Sequence, residues 1–101
     1  MEYSSKQDGT TCEINFLGKF SFTDNENVRM LIEEFKGSGC SRCSVQLGGL
    51  DEIDSAGLGM LILIHEAVKE DGKSAEFIGP TGQVERMLEI SKFSEIITIR
   101  N

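Results

Sequence analysis

The sequence predicts an α/β domain, a single mixed β-sheet of about four or five strands with helices packed on it. Two observations carry that expectation. Short segments whose apolar residues alternate, such as Cys12, Ile14 and Phe16, take turns with longer ones whose apolar residues recur at helical spacing, such as Val28, Leu31, Ile32 and Phe35. Glycines punctuate the changes, with Gly37 and Gly39, then Gly48 and Gly49, then Gly72 and Gly79 each falling where one periodicity stops. A chain of 101 residues, 39% of them apolar, buries one modest core and makes one domain.

Residues 1 to 10 are polar and are expected to fray, which leaves 11–101 as the domain. Cys12, Ile14, Phe16 and Phe20 mark a half-buried first strand. Thr23 or Asp24 can cap a helix that runs to about Phe35 and ends at the glycines. Cys43 to Leu47, centred on Val45, reads as a second strand feeding the Gly48-Gly49 bend. A helix from about Ala56 to Glu70 stops at Asp71-Gly72. Ala75 to Ile78 is another strand, and Gly79-Pro80-Thr81 opens a helix through about Ile90 with Val84, Met87, Leu88 and Ile90 apolar. Ile96, Ile97 and Ile99 complete the pattern as a last strand.

Charge and composition narrow the function. A net charge of −7 argues against direct nucleic-acid binding, which needs clustered Lys and Arg, and against docking on anionic lipid. The first residues lack the apolar core of a signal peptide, and the longest aliphatic run, Met60 to Ile64, is too short for membrane insertion. The sequence reads as a soluble cytoplasmic protein. Its three cysteines, Cys12, Cys40 and Cys43, are an odd set, as expected of free thiols in a reducing compartment. Cys40 and Cys43 have C-x-x-C spacing but lead into a strand rather than opening a helix, so they do not read as a redox motif. Zinc would need Cys12 and His65 as further ligands, and no metal or cofactor is expected.

The densest chemistry lies at residues 51 to 59. Ser55 stands where an apolar strand gives way to a helix, beside Asp54 and ahead of Gly57, Gly59 and the run Met60 to Ile64. A helix N-terminus offers unpaired N–H groups and partial positive charge to an anion. The two glycines let another molecule come close to the first turn. Asp and Ser are also the ordinary N-cap residues, so capping alone accounts for them equally well. Nothing nearby supports catalysis. His65 lies about 15 Å along the helix from Ser55, no Gly-x-Ser-x-Gly elbow is present, and the glycines lack the Lys of a P-loop. Asp51 and Glu52 read as solvated acids rather than as a metal or acid–base cluster with Asp54.

Placed at about 100° per residue, residues 55 to 71 divide into two faces. Met60, Leu61, Ile64, Ala67 and Val68 face the sheet; Ser55, Leu58, Ile62, His65, Glu66 and Lys69 face away. Leu58 and Ile62 are thus expected to be exposed aliphatics on the face of Ser55. The expected partner-binding surface is Asp54, Ser55, Gly57, Leu58, Gly59, Ile62 and Glu66.

Asp54-Ser55-Ala56-Gly57-Leu58-Gly59 resembles the signature of STAS domains, which reads Asp-Ser-Ser-Gly-Leu-Gly or Asp-Ser-Thr-Gly-Leu-Gly at this strand-to-helix turn in anti-sigma factor antagonists. Gly18-Lys19-Phe20-Ser21 resembles the family's Gly-x-apolar-Asp, with Ser21 in place of the Asp and Asp24 nearby. Gly79-Pro80-Thr81 and Ile90 to Ile97 extend the likeness over about residues 10 to 99. The resemblance implies an anti-sigma factor antagonist rather than an enzyme. Unmodified, it binds an anti-sigma factor or serine kinase; phosphorylation at Ser55 releases it, and a PP2C-type phosphatase reverses the mark. Ala56 removes the neighbouring hydroxyl. Asp-Ser-Ala-Gly-Leu also resembles STAS subunits of lipid-transport ATPases, which is the second reading; a serine-dependent hydrolase is the third.

Overall fold

A computed structural model describes residues 1–101. Six strands and three helices follow the order β1 (Glu2–Asp8), β2 (Thr11–Phe20), α1 (Asn25–Gly37), β3 (Arg42–Gln46), β4 (Leu50–Ile53), α2 (Ser55–Glu70), β5 (Ser74–Ile78), α3 (Gly82–Ile90) and β6 (Ile99–Arg100). Short 3₁₀ turns, Phe22–Asp24 and Phe93–Glu95, precede α1 and follow α3. The sheet runs β1-β2-β3-β5-β6, antiparallel at β1–β2 and parallel elsewhere. The mixed α/β architecture expected from the alternating periodicities is present, with six strands rather than four or five.

Burial follows period two. Cys12, Ile14 and Phe16 of β2, Cys43 and Val45 of β3, and Ala75 and Phe77 of β5 point to the covered face. Glu13, Arg42 and Glu76 sit on the opposite, wetter face, where Glu76 pairs with Arg42 at 3.5 Å and Arg100 at 3.1 Å. On the covered side α1 packs along α2 and contributes Val28, Leu31 and Phe35 to one core of 24 buried residues.

Several expectations are corrected. Residues 2 to 8 do not fray: β1 pairs with β2 from Glu2↔Leu17 to Asp8↔Thr11. Its side chains are nearly all exposed, so no buried face shows in the sequence, and backbone hydrogen bonding alone makes it a strand. Cys12 and Cys40 are not free thiols but form a disulfide across 28 residues, with Cα atoms 6.0 Å apart. Cys43 is the one free thiol, and burial pushes its pKa up to about 12, so it stays protonated and unreactive at neutral pH. Ile96, expected in the last strand, lies in a turn, leaving Ile97 to fill the core ahead of a two-residue β6, and the apolar Ile90 at the end of α3 is 77% exposed.

β4 was hidden as a separate element. Its buried ends, Leu50 and Ile53, flank exposed Asp51 and Glu52, so it has no period-two signature. β3 and β4 lie one after the other along β2: Thr11–Asn15 face Arg42–Gln46, and Gly18–Phe20 face Leu50–Ile53 with a register shift at Gly18/Lys19. Gly18 takes up that shift at a φ of 91°. Gly49 permits the join, because a Cβ there would lie 2.7 Å from the Phe16 carbonyl oxygen.

Candidate functional site

The strand-to-helix turn is built from β2, β4 and α2. Asp54 donates its N–H to the Phe20 carbonyl at 3.1 Å, which fixes the turn to the end of β2. With extended backbone (ψ 179°), Asp54 then caps α2: its Oδ1 accepts the Gly57 N–H at 2.7 Å and its carbonyl accepts the Leu58 N–H at 3.0 Å. The capping role expected of either residue therefore belongs to Asp54. Ser55, the first helical residue, is exposed and free of that duty.

Gly57 is buried and faces inward. A Cβ there would stand 2.7 Å from both the Phe20 carbonyl oxygen and Ile53 Cγ1, so glycine lets α2 rest directly on β2 and β4. Gly57 thus leaves the expected partner surface. Gly59 is exposed, and a Cβ added there would meet no atom within 4 Å. Gly57→Ala is expected to cost roughly 1–3 kcal/mol of stability in chemical denaturation. Gly59→Ala is expected to stabilise the free domain by about 0.5–1 kcal/mol through helix propensity.

Leu58 is also corrected. It is 7% exposed and belongs to the core with Met60, Leu61, Ile64 and Val68, so the buried arc of α2 is wider than the helical wheel indicates. Ile62 is half-buried, packed against the core with its outer side open. Leu63, at 47% exposure, is the aliphatic that stands out, and Glu66 is exposed near it. Phe22, 67% exposed in the 3₁₀ turn after β2, a turn that lies against α2, is a second exposed apolar side chain that sequence reasoning missed. No local pattern marks it, because its exposure depends on how the turn leaves the sheet. The open surface around Ser55 therefore comprises Phe22, Asp54, Gly59, Ile62, Leu63 and Glu66.

Electrostatics near Ser55 are acidic. Asp51, Glu52 and Asp54 are exposed; Lys19 meets Glu52 at 3.0 Å, and the hydrogen bond it donates to that carboxylate raises the Lys19 pKa. Asp24 does not stand in for the carboxylate that Ser21 lacks. It is 5% exposed, accepts the Ser21 N–H at 2.9 Å and pairs with the Met1 ammonium at 2.6 Å. Lys19, Ser21, Glu52, Ile53 and Asp54 line a depression of about 180 Å³. Small-molecule sites are usually about 300–1,000 Å³, so this surface suits a macromolecular contact better. His65 gives Ser55 no base: its Nδ1 is buried without a hydrogen-bond partner.

The turn thus presents an exposed serine on the first turn of a helix, beside its own acidic cap, in a small α/β domain. A family model for the STAS domain matches residues 3–101, and the chain belongs to the STAS-domain family. No curated protein sequence matches it significantly. Among solved structures it is similar to a candidate anti-sigma factor antagonist from Thermotoga maritima, at 19% identity and a TM-score of 0.87 over 98% of this chain and 86% of that one. It is similar to the anti-sigma factor antagonist SpoIIAA in its unphosphorylated form, at 16% identity and a TM-score of 0.74, over 99% and 88%. The phosphorylated form of the Bacillus cell fate determinant SpoIIAA matches at 14% identity and a TM-score of 0.71, over 99% and 92%. These likenesses establish the fold. No helix is long and apolar enough to cross a membrane.

Proposed function

We propose that the chain is an anti-sigma factor antagonist that works by partner switching, a regulator rather than an enzyme. Unmodified, it binds an anti-sigma factor or serine kinase; phosphorylation of Ser55 breaks the complex, and a PP2C-type phosphatase resets it in the cytoplasm. The observation that carries this reading is the division of labour at the turn. Asp54 caps α2, so the Ser55 hydroxyl can be modified without unmaking the helix start. SpoIIAA, which shares the fold, is known in phosphorylated and unphosphorylated forms. Asp54, Ser55, Gly59, Ile62 and Glu66 form the proposed contact surface, joined by Phe22 and Leu63.

Affinity capture from the native cell, with intact mass of the bait, tests the proposal. Capture of an anti-sigma factor or serine kinase is expected, and incubation with that kinase and ATP is expected to add one phosphate, since Ala56 has no hydroxyl. Ser55→Ala is expected to abolish the addition. Phosphate persisting on Ser55→Ala would place the switch elsewhere, and capture of a lipid-transport ATPase instead would favour the transporter-subunit reading.

A further inference from the structure

We propose that Gln83 is the positioning residue of the switch: its side-chain amide, lying on the free edge of β4, fixes the backbone that presents Ser55. The Ile53 N–H donates to Gln83 Oε1 at 2.9 Å, and Gln83 Nε2 donates to the Ile53 carbonyl at 3.0 Å. One side chain thus serves both polar groups of a single strand residue, thirty positions away in sequence.

The need for it follows from the topology. The N–H and C=O of one strand residue point to the same side, so Ile53 requires a neighbour beyond β4. The β3–β5 ladder ends at Gln46↔Ile78, and the Leu47 N–H takes the Ile78 carbonyl at 2.8 Å. β4 itself pairs only with β2, so no strand continues beside Leu50–Ile53. A primary amide offers a donor and an acceptor together, as a strand residue does, and fills the vacancy. Its own placement is firm. Gln83 is in the first turn of α3, whose Val84 and Leu88 are 0% and 3% exposed. Gly82 opens that helix at a φ of 55°, a conformation that glycine adopts without strain.

Ile53 is followed directly by the cap residue Asp54 and then by Ser55. Without the amide, the Ile53 N–H and C=O lose their partners in a half-buried place, and the turn samples other arrangements to reach water. A kinase then meets the correct presentation of Ser55 for a smaller fraction of the time, which raises the apparent KM by the inverse of that fraction. The geometry stands by itself; this consequence rests on phosphorylation of Ser55 as proposed above.

The test compares Gln83→Met, which keeps the length and loses the amide, with Gln83→Glu, which keeps an acceptor, and Val84→Ala, which destabilises α3 and leaves the Gln83 amide in place. Amide hydrogen exchange at Ile53 and Gly57 is measured relative to the core amide of Val45, together with steady-state phosphorylation by the kinase captured with the wild-type chain. In Gln83→Met, exchange at Ile53 is expected to rise about tenfold or more, and at Gly57 by a smaller factor. KM is expected to rise about fivefold with kcat unchanged. Gln83→Glu is expected to keep the Ile53 amide protected, and Val84→Ala to lose stability with a wild-type KM. Wild-type exchange at both amides in Gln83→Met overturns the proposal, as does an equal KM rise in Val84→Ala. If the wild-type chain takes no phosphate at Ser55, the partner-switching reading fails, and the exchange rates alone then decide whether Gln83 holds the turn.

Discussion

Leu58→Ala is expected to lower the stability of the free domain by about 2–5 kcal/mol, the cost of emptying a buried leucine site. For a domain whose whole stability is about 5–15 kcal/mol, that is a large share. Leu58 is 7% exposed and sits one residue after Gly57, where α2 rests directly on β2 and β4, so little room exists for neighbours to collapse into the space. Leu63→Ala, at a 47% exposed position on the open side of the same helix, is expected to change stability by less than about 0.5 kcal/mol. It is expected to weaken partner binding by roughly 1–3 kcal/mol, with Ile62→Ala losing some of each quantity. Chemical denaturation and titration calorimetry on the three variants read the two effects separately. A stable Leu58→Ala protein that no longer binds would mean that α2 presents its other flank.

Ser55→Asp is expected to weaken the complex and leave the free fold intact. Phosphate brings about −1.5 to −2 charges with three acceptor oxygens, whereas aspartate brings one charge, so the substitution mimics modification in part. An anion on the first turn of α2 interacts with the helix terminus by roughly 0.3–1 kcal/mol, and Asp54 already satisfies the Gly57 N–H, so the melting temperature is expected to move little. The loss of affinity is expected to come from desolvating the new charge and from electrostatic repulsion across a contact already rimmed by Asp51 and Asp54. Added salt is then expected to narrow the gap between wild type and Ser55→Asp. A gap that ignores salt would point to steric blocking at Gly59, and equal affinity of the two proteins would remove Ser55 from the interface.

What was legible in the sequence is what local chemistry writes. The α1 and α2 spans, the glycine stops and the position of Ser55 at a strand-to-helix turn follow from periodicity and capping. What was not legible depends on distant partners. β1 has no buried face to leave an alternating pattern, and β4 carries two acids between its apolar ends. Leu58 looks solvent-facing on a helical wheel, and only the surrounding packing places it in the core. The Cys12–Cys40 bond joins residues whose spacing is silent about their proximity, and Gln83 reads as an ordinary surface glutamine until α3 lies against β4.

The succession of β3 and β4 along one strand bears on what kind of signalling element this is. The long parallel ladder belongs to β3 and β5, while the ledge that ends in Ser55 is a short outgrowth joined through the second half of β2 and steadied by Gln83. A mark written on the ledge has little mechanical purchase on the body of the sheet. Under the partner switching proposed above, the domain is then expected to behave as a page rather than a lever, with nearly the same shape marked or blank and the information legible only to a reader pressed against it. Such an element dissipates almost none of the free energy of its modification in refolding itself, so nearly all of it appears as a difference in affinity.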